Sequence, residues 1–283
     1  CWVCLDVRDK RTLLVPVGCG KCMECMKQKA RNWQVRLLEE VKHDNTALFV
    51  TLTFSNESII NLYKEIDNKL DGYDRDNAIA KIAVRRFLER WRKDNKKSVK
   101  HWLITELGHQ GTENIHLHGI IWTTKSEEYV TKKWGYGYTW TNEKQGKVGE
   151  QVVNYIIKYC TKTDEKHKEY KPIILCSPGI GKGYLNSFNA KNNRHRGKDT
   201  REYYQTRTGH KISLPIYYRN KIYTDEQKEE LWINKLDQNK RFVNGIEVDI
   251  TNGLDMYYRV LQEARAKNKR LGYQDLSLIH ISE

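Results

Sequence analysis

Two histidines one residue apart, His116 and His118, lie in the apolar run IHLHGIIW over 115–122. Residues two apart on a strand share a face, so both imidazoles point the same way and can take one divalent ion between them. Glu106 is the expected third donor, near the end of the strand-like run HWLITEL over 101–107. Hairpin pairing of the two runs would set its carboxylate beside the rings. The polar turn over 108–114 leaves the register open, and Glu113 or Gln110 could take that place. Two imidazoles and a carboxylate suit Mg2+ or Mn2+ and leave coordination positions for a phosphate.

A second group of reactive side chains is Tyr155-Ile-Ile-Lys158-Tyr159. On a helix, residues four apart are neighbours, with Cβ atoms about 5–6 Å apart. Both phenols would face one point, with Lys158 at the same rim. A phenol is a poor nucleophile at its ordinary pKa of about 10, and a cation beside a metal-polarised phosphate lowers the barrier to its attack. Tyrosines at this spacing also serve simply as packing on an amphipathic helix.

Five of the seven cysteines fall in the first 25 residues: Cys1, Cys4, Cys19, Cys22 and Cys25. The spacing C-x2-C, fourteen residues, C-x2-C-x2-C suits one tetrahedral Zn2+, with Cys4, Cys19, Cys22 and Cys25 as the expected set and Cys1 as a substitute. An odd number of cysteines argues against a disulfide framework. Cys160 and Cys176 stand alone and read as packing residues.

These groups need elements to hold them. An amphipathic helix is expected over 24–42, a buried strand over 47–54 (ALFVTLTF) and a strong helix over 76–95, capped by Asp76 or Asn77 with a basic outer side. The two strands just described follow, then a short helix, a Gly/aromatic stretch (WGYGYTW, 134–140) and a helix over 151–163. The order β-α-β-β-α predicts an α+β sandwich of the ferredoxin/RRM-like kind, with an antiparallel sheet. Beyond 165 the chain reads as basic and irregular, with helices over 224–238 and 255–270.

The 283 residues carry 50 Lys and Arg against 36 Asp and Glu, a net charge of +14, which points to a polyanionic partner. Eight Trp and 17 Tyr within a 39% hydrophobic composition exclude wholesale disorder. No apolar run approaches the roughly 18 residues of a membrane helix. Arg85, Arg86, Arg90, Arg92, Lys93 and the segment 191–201 are candidates for phosphate contacts. Trp122, Trp134, Tyr136, Tyr138 and Trp140 are candidates for stacking on unpaired bases. The run SPGIGK over 177–182 lacks the spacing of a nucleotide-binding P-loop and reads as a turn that could touch a DNA backbone.

FVTLTF (49–54), HLHG (116–119) and YIIKY (155–159), in that order, resemble the three motifs of HUH endonucleases. The N-terminal CGKCMEC, the basic Trp/Arg helix after it, the two-tyrosine third motif and SPGIGK narrow the resemblance to replication initiators of the Microviridae, gokushovirus type. It covers roughly residues 15–220. The resemblance implies a rolling-circle initiator that nicks and rejoins single-stranded DNA at an origin through a 5′-phosphotyrosine intermediate. The implied ligands are His116, His118 and Glu106 for Mg2+ or Mn2+. Tyr155 and Tyr159 would be the nucleophile pair, with Lys158 assisting. Thr51 and Thr53 would support the sheet. Implied partners are host helicase and polymerase, in the cytoplasm of a bacterial host.

The expected organisation is a zinc-knuckle-like module with a basic helix (1–45), the HUH core (46–165) and a basic C-terminal extension with helices (166–275). The tail 276–283, LSLIHISE, back-translates to a string resembling a sequencing-library transposase adapter read in frame, and His280 is set aside with it. That tail and the opening Cys1-Trp2 read as marks of truncation at both ends. Two other functions fit parts of the pattern. An HUH transposase or relaxase of a mobile element would share the chemistry. A non-catalytic, zinc-stabilised nucleic-acid-binding protein would account for the charge and cysteines but not for the ordered motifs.

Overall fold

The computed structural model describes residues 2–4, 14–16, 20, 22–66, 69–108, 113–142, 148–162, 167, 169–243 and 246–271. In chain order the elements begin with β1 (Trp2–Cys4), β2 (Leu14–Pro16), α1 (Met23–His43), β3 (Ala47–Leu52), α2 (Asn56–Tyr63) and α3 (Gly72–Asn95). Next come β4 (Lys100–Leu107), β5 (Ile115–Trp122), α4 (Glu127–Trp134), β6 (Thr139–Thr141), α5 (Glu150–Ile157) and β7 (Ile174–Cys176). The remainder is α6 (Phe188–Lys191), β8 (Tyr203–Gln205), β9 (Lys211–Ser213), α7 (Ile216–Ile222), α8 (Asp225–Asp237), β10 (Lys240–Val243), β11 (Ile246–Asp249) and α9 (Asp255–Arg270). This is an α+β chain. No helix among the described residues is long and apolar enough to cross a membrane.

The chain divides into two compact units, and the division falls inside α1. One unit comprises Arg36–Cys160 and Glu169–Lys182. Its sheet has five strands in the order β6-β3-β5-β4-β7, every neighbouring pair antiparallel. Strand alternation sorts the side chains. Val50, Leu52, Leu103, Leu107, Leu117 and Ile121 face a core completed by Ile79, Ala83, Phe87 and Trp91 of α3 and by Trp134 of α4. Phe49, Thr51, Glu106, His116 and His118 alternate with these and share the opposite face.

Gly119, which ends the HLHG run, sits in the central strand. A Cβ there would come within 2.1 Å of the Trp102 carbonyl oxygen and 2.8 Å of Leu103 Cα, so only glycine lets β4 and β5 close at this point.

The long helix α3 starts at Gly72, earlier than its sequence pattern predicts, with Asp71 at the N-cap in place of Asp76 or Asn77. Asn77 is buried instead: Thr105 Oγ1 donates to its Oδ1 (3.0 Å), and its Nδ2 donates to the Lys171 carbonyl (3.1 Å). A buried amide satisfied on both sides stitches α3 to β4, a role that local capping preference conceals. The helix predicted over 151–163 is shorter, turning into a 3-10 turn at Lys158–Cys160.

The other unit comprises Cys1–Val35, Thr161–Lys168 and Gly183–Glu283. It is less irregular than its sequence suggests. Three antiparallel two-stranded ribbons, β1-β2, β8-β9 and β10-β11, accompany α6 to α9. Tyr184, Tyr204, Tyr218, Tyr223 and Leu231 bury one cluster with Val35. Cys22, Val243, Leu261 and Ala264 form another. The helix α8 opens with a reciprocal capping box between Thr224 and Gln227.

Candidate metal and tyrosine site

Register answers the question of the third donor. Glu106 pairs directly with His116 across β4 and β5, and Ile104 pairs with His118, so Glu106 and both histidines line one face. The Glu106 carboxylate oxygen Oε2 lies 3.2 Å from His116 Nε2 and 2.9 Å from His118 Nε2. One donor atom from each of the three residues lies within 4.8 Å of the others, and all three are half-buried. Glu113 has a left-handed backbone (φ 54) outside the strands, and Gln110 lies outside the described residues.

The far nitrogens are also engaged. His116 Nδ1 is 3.4 Å from the Asn114 carbonyl oxygen, a long hydrogen bond in which the carbonyl can only accept. His118 Nδ1 is 3.0 Å from Thr51 Oγ1. With Nδ1–H directed at a carbonyl, neutral His116 turns a lone pair at Nε2 toward a carboxylate oxygen. Acceptors facing one another at these distances are at ease only with a cation or protons between them, so the donor set fits a divalent metal.

The tyrosines come to the same place. Val153, Ile156 and Ile157 bury one face of α5, which leaves Tyr155 outward and 49% exposed. The 3-10 turn carries Tyr159 back toward the sheet, where its ring stacks on His118 with centroids 4.6 Å apart and planes at 16°. The two phenolic oxygens are 2.7 Å apart. Burial, the hydrogen bond with Tyr155 and the nearby Glu106 charge, in that order, hold the Tyr159 hydroxyl in its protonated form far above the ordinary tyrosine range. Lys158 is exposed at the start of the turn.

Phe49 is a site residue that motif reading passes over as strand hydrophobicity. Its ring stacks beside His118 (6.3 Å, 12°) and meets Tyr155 edge-on (6.1 Å, 69°). It therefore touches both halves of the site. The period-2 pattern of FVTLTF puts Phe49 on the face of Thr51, and that is the available signal.

Several expected nucleic-acid contacts are committed elsewhere. Trp134 is fully buried and donates from Nε1 to the Thr53 carbonyl (2.7 Å), and Trp122 is 6% exposed, so neither offers a face to a base. Tyr136 packs against Phe54 and Trp134 and lies under Arg90. Arg90 donates to the carbonyls of Lys133 and Trp134, and Arg86 pairs with Glu65. Tyr138 remains outward at 68% exposure, and Trp140 is half-buried against Phe49. In the SPGIGK turn, Gly179 and Gly181 have positive φ, and Glu40 already accepts the Gly181 N–H (2.6 Å). A carboxylate thus occupies that amide, which is closed to a phosphate.

Cys19 and the Cys4 side chain lie outside the described residues. Cys22 is buried and Cys25 half-buried, flanking the start of α1. Cys160 is buried as expected, whereas Cys176 is exposed in the edge strand β7, because the sheet ends there.

Comparison with known proteins adds to this geometry. A family model of replication-associated proteins, described by its ORF2 and gene 2 protein members, matches residues 47–164, a span holding Glu106, both histidines and both tyrosines. The replication-associated protein VP4 of Bdellovibrio phage phiMH2K is 25% identical over 224 residues, 71% of this chain. The match takes in 66% of that relative, just under two thirds of its length. No solved structure matches the chain. Both matches support a replication initiator of the Microviridae type.

Proposed function

We propose that this chain initiates phage DNA replication by nicking and rejoining single-stranded origin DNA as an HUH endonuclease. The observation that carries the reading is the stack of Tyr159 on His118, which sets two hydrogen-bonded phenols directly beside a Glu-His-His donor set. The sheet order supports it as well. Counting β3, β4, β5 and β6 as first to fourth, the order is 4-1-3-2, that of a ferredoxin-like core, with β7 added at the edge.

Glu106, His116 and His118 would hold Mg2+ or Mn2+, which supplies positive charge for a non-bridging phosphate oxygen. A tyrosine oxygen attacks the scissile phosphorus, and the O–P bond forms as the bond to the 3′ oxygen breaks. The phenolic proton is released, and the 3′ oxygen leaves as a hydroxyl that can prime synthesis. The phosphotyrosine retains the energy of the phosphodiester, so a later 3′-hydroxyl reverses the step without ATP. The second phenol, already hydrogen-bonded to the first, can cut the regenerated origin. Lys158 would contribute cationic charge at the rim. The cysteines Cys4, Cys19, Cys22 and Cys25 would hold structural Zn2+, residues 1–45 forming that module, 46–165 the nuclease core and 166–275 the basic extension. The reaction would run in the host cytoplasm, beside host helicase and polymerase.

The test is covalent capture. Protein incubated with origin-containing single-stranded DNA and Mn2+ should form an adduct that survives denaturation. The double variant Tyr155→Phe, Tyr159→Phe should form none, and labelling equal to the parent would refute the reading.

A further inference from the structure

We propose that Thr51 is a positioning residue that selects which edge of the His118 ring faces the metal-binding point. The proposal rests on reading Glu106, His116 and His118 as a metal site. Strands β3 and β5 pair Thr51 with His118, and the Thr51 hydroxyl lies 3.0 Å from Nδ1.

Stacking cannot do this alone. Tyr159 lies nearly parallel to the imidazole at 4.6 Å, and Phe49 at 6.3 Å. Parallel neighbours fix the plane of the ring, yet a half-turn about the Cβ–Cγ bond keeps that plane. The half-turn exchanges Nδ1 with Cδ2 and Nε2 with Cε1. The flipped ring would aim a carbon at Glu106 and lose the donor set. A hydrogen-bonding group at the Nδ1 edge removes the degeneracy, because the flipped ring places a C–H against the hydroxyl.

The choice of a hydroxyl has a further consequence. It both donates and accepts, whereas a carbonyl or carboxylate only accepts. With Nε2 given to a metal, Nδ1 carries the proton and Thr51 accepts it. Without metal, Nε2–H can donate to Glu106 at 2.9 Å, and Thr51 turns to donate to Nδ1. The ring keeps one orientation in both states, ready to bind. His116, held through a backbone carbonyl, has no such latitude.

Thr51→Val keeps the β-branched shape and removes the hydroxyl, and Thr51→Ser restores it. Manganese binding to the DNA-free protein, measured by calorimetry, should weaken about 10- to 100-fold in Thr51→Val and return toward the parent in Thr51→Ser. Imidazole 15N chemical shifts of the metal-free proteins give a readout independent of activity. The His118 Nδ1 signal should move in Thr51→Val and be retained in Thr51→Ser. Parent-like Mn2+ affinity in a folded Thr51→Val overturns the proposal while leaving the metal site standing. Mn2+ binding unaffected by His118→Ala would refute the metal site and the proposal with it. Should Thr51→Val fail to fold, Thr51→Ala is compared with Thr51→Ser by the same two measurements, and equal values overturn the proposal.

Discussion

Tyr159 lies flat on His118 while its hydroxyl reaches Tyr155, so one ring links the donor set to the outer phenol. The two tyrosines are therefore inequivalent. Tyr155 is half-exposed and open to a strand arriving from solvent. Tyr159 is partly buried, and its proton is held tightly by burial, by Tyr155 and by Glu106. Tyr155 is expected to make the first cut. In a single turnover on origin DNA, Tyr155→Phe should reduce adduct formation by a factor on the order of 1,000 or more. Tyr159→Phe should still form the adduct but fail to release joined circles. Mass spectrometry of the adduct peptide reads the outcome directly, and label on Tyr159 in the first turnover would reverse the order.

His116→Ala separates binding from chemistry. The substitution removes a donor from one face of the sheet without touching the core on the other. Metal-dependent cleavage should be lost, and salt-sensitive binding to single-stranded DNA should remain, because phosphate contacts come from Lys and Arg. Binding and cleavage that fall together would mean the histidines serve the fold or the DNA contact instead.

Gly119→Ala tests the close approach of β4 and β5. A methyl group 2.1 Å from a backbone oxygen cannot be absorbed by a side-chain rotation. The expected cost is about 3 kcal/mol, seen as a lowered urea midpoint. A variant as stable as the parent would show that the two strands can move apart there.

Much of the site was legible because strand and helix periods are local. H-x-H fixes two rings on one face, and two phenols four apart fix another pair. A hairpin then brings Glu106 into reach. What stayed hidden depends on tertiary partners. Trp134 and Tyr138 belong to one Gly/aromatic run, yet Gly135 ends α4 in a left-handed turn (φ 65), and the chain then reverses into β6. One aromatic goes to the core and the other to solvent. Arg86 and Arg90 read as a basic face, but Glu65 and two carbonyls of the α4 terminus take them. No spacing rule announces those partners. The edge strands β6 and β7 have three residues each, too short for alternation to register.

His101 supplies a pH dependence outside the site. It is 7% exposed, and its Nδ1 sits 3.1 Å from the Val99 carbonyl and 3.0 Å from Ser177 Oγ. Burial depresses its pKa below the ordinary 6.5, only partly offset by the Val99 hydrogen bond. The unfolded chain therefore binds a proton that the folded chain resists. As pH falls through 6.5 toward the lowered folded value, this residue removes stability with a slope of at most about 1.4 kcal/mol per pH unit. Above that window it has no effect, because both states are neutral. Urea midpoints of the parent and of His101→Asn, whose amide can reach the Val99 carbonyl, should converge as pH drops from 7 to 5, by reason of the proton that only the parent must exclude. Midpoints that run parallel across this range would mean that His101 is protonated in the fold.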